Sequence, residues 1–147
     1  MRTILLISIL VFMFGTAGCQ TTPPVPTPEK VPEATPTSWA DEWGIEFVSL
    51  RLTASDQMLD FRYRIVDPDK ASKITKRPVK AHAVHERTGA IHSIPVTKLG
   101  PLRGSAVKPI INRVYVILFS NAGGLVRRGD TMTVVIGDFR AEHLKVE

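Results

Sequence analysis

The stretch Leu59-Asp60-Phe61-Arg62-Tyr63-Arg64-Ile65 alternates large apolar and charged side chains without interruption, and no other feature constrains the fold as strongly. A period of two places every second side chain on the same face of a strand, so this segment belongs in a sheet with one face in a core and the other in water. Its neighbours in sequence can supply the sheet. Gly44 to Thr53 is rich in β-formers, and the polar Ala54-Ser55-Asp56-Gln57 joins it to the alternating segment, which predicts a hairpin. Asp67-Pro68-Asp69 ends the second strand, and the one stretch that resembles a helical period is a turn around Pro68 to Lys73. Val79 to Glu86 and Ala90 to Val96 flank Arg87-Thr88-Gly89 as a second hairpin, with Pro95 marking an edge. Val114 to Phe119 is apolar on both faces and reads as a central, buried strand. Asn121 to Gly124 turns the chain, and Thr131 to Ile136 and Phe139 to Val146 bring the total to about seven strands. Short strands at a spacing of roughly 10 residues, without a sustained helical period, predict an all-β fold: a small immunoglobulin-like β-sandwich.

The 147-residue chain does not begin with this pattern. Residues 1–18 carry one charge at Arg2, an 11-residue apolar run from Ile4 to Phe14, and small residues up to Cys19. The run fits a secretory leader and falls short of the roughly 20 residues that a spanning helix needs. Residues 19–38 follow as a tether, with Pro23, Pro24, Pro26, Pro28, Pro32 and Pro36 and little apolar bulk. Proline fixes φ and keeps its predecessor extended, so this stretch predicts a semi-rigid spacer reaching roughly 50 to 60 Å. Residues 39–147 remain for a single domain, large enough to bury a core without disulfides. One cysteine, Cys19, allows no disulfide within the chain.

The segment Thr16-Ala17-Gly18-Cys19 resembles the lipobox of bacterial lipoproteins, departing from it at Thr16, where leucine is usual. The resemblance implies cleavage before Cys19, lipidation of that residue and a lipid-anchored place in the cell envelope. Acyl chains contribute about 0.8 kcal/mol per buried methylene, and two or more of them hold a soluble domain durably. Gln20 follows the cysteine where aspartate would imply retention at the inner membrane, so the expected location in a Gram-negative cell is the outer membrane, facing the periplasm. The domain is similar to the small β-sandwich domains of exported lipoproteins, and this likeness carries no site residues.

Charge is divided along the domain. Residues 70–128 hold twelve Lys or Arg against the single acid Glu86, whereas residues 38–69 hold three bases against seven acids. A basic middle attracts polyanions. In the envelope these are lipid headgroups, acidic polymers or an acidic protein surface, and an exported protein is not expected to meet nucleic acid. Lys76, Arg77 and Lys80 form the densest candidate for an anionic-partner face.

The most specific cluster of chemically able side chains is His82, His85 and His92 beside Glu86. With Thr88-Gly89 as a two-residue loop, His85 lies opposite His92 and the pair could share a copper or zinc ion, while His82 points away. His85-Glu86 does not extend to a zinc-protease helix, because Gly89 stands where the second histidine is required. Gly124 to Thr131 has the glycine spacing of a phosphate loop, but Asp130 occupies the lysine position. Met58 and Met132 sit among strand residues and read as core. No nucleophile elbow marks a serine, and the sequence implies neither a cofactor nor a catalytic residue. The leading expectation is a non-catalytic, membrane-anchored interaction module; the alternative is a periplasmic copper or zinc carrier using His85 and His92.

Overall fold

A computed structural model describes residues 37–147, so the leader, Cys19 and the tether up to residue 36 lie outside the described residues. In chain order the elements are α1 (Thr37–Trp43), β1 (Ile45–Thr53), β2 (Met58–Ile65), α2 (Pro68–Thr75), β3 (Ala81–His85), β4 (Ile91–Ser93), β5 (Val96–Thr97), β6 (Gly100–Pro101), β7 (Val114–Ser120), β8 (Thr131–Ile136) and β9 (Phe139–Lys145). Two antiparallel sheets, β1-β2-β7 and β4-β3-β8-β9, supply the seven strands of a sandwich, and β5-β6 is a small separate hairpin. Relative to a constant-type immunoglobulin domain, the fourth strand pairs with the third instead of the fifth.

The alternation in β2 has the expected result. Leu59, Phe61, Tyr63 and Ile65 are fully buried, and they meet Ile117 and Phe119 from β7 and Met132, Val134 and Ile136 from β8 in one core. On the outward face Asp60 is only 4% exposed. Arg62 grips its carboxylate through Nε at 3.0 Å and Nη2 at 2.9 Å, which compensates the charge for its loss of water.

β7 is not the central strand its composition predicts. It ends its sheet, and an irregular segment covers its outer side: Gly104 N donates to Val116 O at 2.7 Å and Leu118 N to Leu102 O at 3.0 Å. Tyr115, Ile117 and Phe119 are buried while Val114 is exposed. On the other face Val116 and Leu118 are half-buried, so the apolar run marks a strand whose edge is covered by an irregular segment and not one buried on both faces.

Local chemistry starts α2, and tertiary docking holds α1. The Asp67 carboxylate accepts from Asp69 N at 3.0 Å and Lys70 N at 3.2 Å, and Pro68 sits where a missing N–H costs nothing, so α2 starts there. α1 is too short to register as a period in the sequence. Trp39 and Trp43, one turn apart, meet the Phe139 ring edge-on at 5.4 and 5.6 Å, and this docking holds it.

The two long sides of the sandwich differ. On one, the C-terminal residue crosses from β9 to β1, with Glu147 N donating to Leu50 O at 2.9 Å. On the other, β4 approaches β7, and His92 Nδ1 lies 2.8 Å from Ser120 O.

Candidate functional site

Two regions gather the chemically able side chains. The first is the end of the four-stranded sheet around the β3–β4 turn. His85 pairs with Ala90 across a four-residue loop, Glu86 to Gly89, with His85 N donating to Ala90 O at 2.9 Å. His92 therefore stands opposite Ala83, not opposite His85. The loop is two residues longer than the sequence reading assumed, which slides the register by one pair and leaves the histidines diagonal, roughly 7 to 8 Å apart. Both face the interior, with His85 1% and His92 5% exposed.

Their ring nitrogens are engaged on one side only. The Ser120 carbonyl accepts alone, so His92 Nδ1 carries a proton, and its buried Nε2 has no hydrogen-bond partner. His85 Nδ1 meets Thr88 Oγ1 at 2.9 Å, and its Nε2 faces Asp130 Oδ2 at 3.4 Å, too long and poorly aligned to count as a hydrogen bond. Among the described residues, no three of His, Cys, Asp and Glu converge as a metal set. Asp130, His85 and Thr88 line up as carboxylate, imidazole and hydroxyl, an order that serves nucleophilic catalysis elsewhere. Here the Thr88 and Gly89 N–H groups both donate to the His85 carbonyl, at 3.3 and 2.7 Å, so neither can stabilise an oxyanion. Thr88 and Gly89 close the turn onto His85.

Glu86 has a similar part. β9 bulges against β8 between Met132 and Val134, and His143 adopts a left-handed φ of 58°. Glu86 Oε1 accepts from His143 N at 2.8 Å and Thr133 Oγ1 at 2.8 Å, and Oε2 lies 3.1 Å from His143 Nδ1. Burial alone would raise the Glu86 pKa, but these bonds outweigh it and hold the carboxyl below its ordinary value.

The second region is an open groove of about 570 Å³ on the outer face of β3 and β4. Val79, Ile91, Ile94 and Val96 give it apolar walls, and Arg77, Lys80 and Arg103 give it positive charge, with His82 beside them and no carboxylate in the lining. Of the predicted basic face, Arg77 and Lys80 line this groove. Lys76 is exposed but stands outside it. Arg103 was not legible in the sequence as a site residue. Its Nη1 donates to Val79 O at 2.6 Å and its Nη2 to Ile74 O at 2.7 Å, clamping the end of α2 and the groove wall to the cover of β7. Burial lowers its pKa, opposed by Tyr63 and aided by Arg77, yet guanidinium keeps its charge in proteins.

Comparison with protein-family models, with curated proteins and with solved structures finds no match. The site must therefore be read from its own chemistry.

One strand edge borders the groove. Because His85 and Ala90 form a hydrogen-bonded pair, Ala83 and His92 form the next, and Ile91 and Ser93 between and beyond them turn their N–H and C=O groups away from β3. Ile91 is 67% exposed on this edge. On the β1 edge, by contrast, Glu147 engages Leu50 O and Leu52 N.

Proposed function

We propose that the chain is a lipid-anchored envelope protein, held by Cys19 and its proline-rich tether, whose sandwich is a non-catalytic interaction module for an extended acidic segment of another envelope component. The contiguity of the β4 edge with the basic groove carries this reading, since Ile91 and Ser93 belong to both. Strand addition uses an open edge for main-chain hydrogen bonds and neighbouring pockets for alternate side chains. A ligand strand on β4 would present every second residue to the groove, where Arg77 and Lys80 favour carboxylates and Val79 and Ile94 favour aliphatic groups. The expected location, an outer membrane facing the periplasm, rests on the leader and Gln20.

In-cell crosslinking from position 91, read by mass spectrometry, tests this. A discrete protein adduct is expected that disappears in Ile91→Pro, which deletes one outward N–H, and in Arg77→Glu with Lys80→Glu; it should also weaken in Cys19→Ser, which removes the anchor. An adduct indifferent to the edge and charge variants refutes the docking mode.

The copper or zinc carrier keeps one observation in its favour, the two buried imidazole Nε2 atoms without hydrogen-bond partners. An equilibrium metal titration decides it: binding tighter than micromolar that is lost in His85→Ala supports a carrier, and no uptake above background removes the idea.

A further inference from the structure

We propose that the β5–β6 hairpin and the loop from Val107 to Ile111 seat their apolar tips in a bilayer surface rich in anionic phospholipid. This concerns a different class of partner from the β4 docking reading, on a neighbouring surface that shares Val96, Arg77 and Arg103 with the groove. Leu99, at the hairpin tip, is 96% exposed, and Val107 is 73% exposed, with Val96, Ile110 and Ile111 also open to solvent. β5 and β6 have two residues each, so the hairpin is too small to bury its own aliphatic side chains. Arg77 ties the two projections together: its Nε donates to Ser105 Oγ at 2.9 Å, and its guanidinium lies against Gly100, with Nη1 3.5 Å from where a Cβ would stand.

Charge selects the partner. From Val96 to Arg113 the chain carries Lys98, Arg103, Lys108 and Arg113 and no acid. Lys98 immediately precedes Leu99, and Lys108 stands between the exposed Val107 and the exposed Ile110 and Ile111, so a lysine adjoins each apolar tip in the chain. Protein interfaces concentrate their affinity in desolvated pockets that receive an anchor. Projecting aliphatic tips with a lysine next to each match instead the boundary between headgroups and acyl chains, where the tip leaves water and the lysine stem reaches up to phosphate.

Residue-level hydrogen exchange on the full chain tests this, with vesicles of phosphatidylglycerol compared with vesicles of phosphatidylcholine. Slowed exchange is expected over residues 96–101 and 107–112 on the anionic vesicles only, and it should vanish in about 1 M salt, where the screening length falls to about 3 Å. Attachment elsewhere in the chain raises the local concentration but does not itself protect the tips. Leu99→Asp, at a position that makes no core contact, should fold normally and reduce tip protection by roughly tenfold or more. Lys98→Glu with Lys108→Glu should do the same. Exchange unchanged by anionic vesicles, equal slowing on both lipids, or protection that survives Leu99→Asp overturns the proposal. Tips protected by a soluble protein but not by either vesicle overturn it in favour of a protein partner.

Discussion

Removing the Glu86 carboxylate should loosen β9 from β8 in a way that depends on pH. In Glu86→Ala three contacts go at once: those to the His143 amide, the Thr133 hydroxyl and the His143 ring. At a net value near 1 kcal/mol each, with the buried Thr133 hydroxyl left without its acceptor, the loss at pH 7 is about 2 to 3 kcal/mol. Glu86→Gln keeps an oxygen for the two Oε1 bonds and gives up the charge, so it should lose less than about 1 kcal/mol. The sign with pH follows from linkage. Glu86 has a depressed pKa when folded, so the unfolded chain takes up the proton first. Its stabilisation is complete above the ordinary glutamate value of about 4.3 and is lost as pH falls through the lower folded value. Urea titrations from pH 7 downward would show this: with a slope of about 1 to 2 kcal/mol per molar urea, the Ala variant unfolds roughly 1 to 3 M earlier at pH 7. The gap should narrow in acid, and Glu86→Gln should have a flatter acid limb than the wild type. A gap within about 0.5 kcal/mol at pH 7, the scatter of neutral surface changes, would refute the reasoning. So would a gap that stays constant through the acid limb.

Other substitutions probe the frame around the sites. Asn121 is fully buried; its Nδ2 donates to Asp56 O at 2.8 Å and Val126 O at 3.0 Å, and its Oδ1 accepts from Val126 N at 3.0 Å. Asn121→Ala should destabilise by about 3 to 5 kcal/mol in a chemical denaturation curve, and a loss under about 1 kcal/mol would show that these bonds are not holding the loop to the β1–β2 turn. Tyr63 buries a hydroxyl with no protein partner, and burial pushes its pKa up to about 12. Tyr63→Phe should therefore be neutral or stabilising by up to about 1 kcal/mol, and a clear drop in Tm would contradict this account of the hydroxyl. Gly44 has a φ of 64°, and a Cβ there would collide with the Asp67 carbonyl oxygen. Gly44→Ala should destabilise by about 3 kcal/mol or more, and a wild-type melting curve would show that the α1–β1 corner yields easily.

Local pattern was sufficient wherever one residue's chemistry decides one element. The alternation of β2, the stop at Asp67-Pro68-Asp69 and the polar turn at Ala54 to Gln57 each produced the predicted element, because periodicity and turn chemistry act within a few residues. The all-β sandwich class was legible for the same reason. The histidines were not: their relation depends on the register across the β3–β4 loop, and a change in loop length moves every pairing. α1 was missed because seven residues hold too little periodicity, and only the rings of Phe139 and Phe47 give its tryptophans a place to dock.

The sequence by itself determined that the middle of the domain is basic, that its strands are short and that its β2 segment has one face for a core. Which strand edge stays open, which bases converge on it and which aliphatic residues stand out in solvent were decided by tertiary structure. Arg77 and Arg103 meet in one groove wall although 26 positions separate them in the chain. Pairing between distant strands makes that meeting, and a linear pattern records only what a residue prefers, not which remote segment comes to lie beside it.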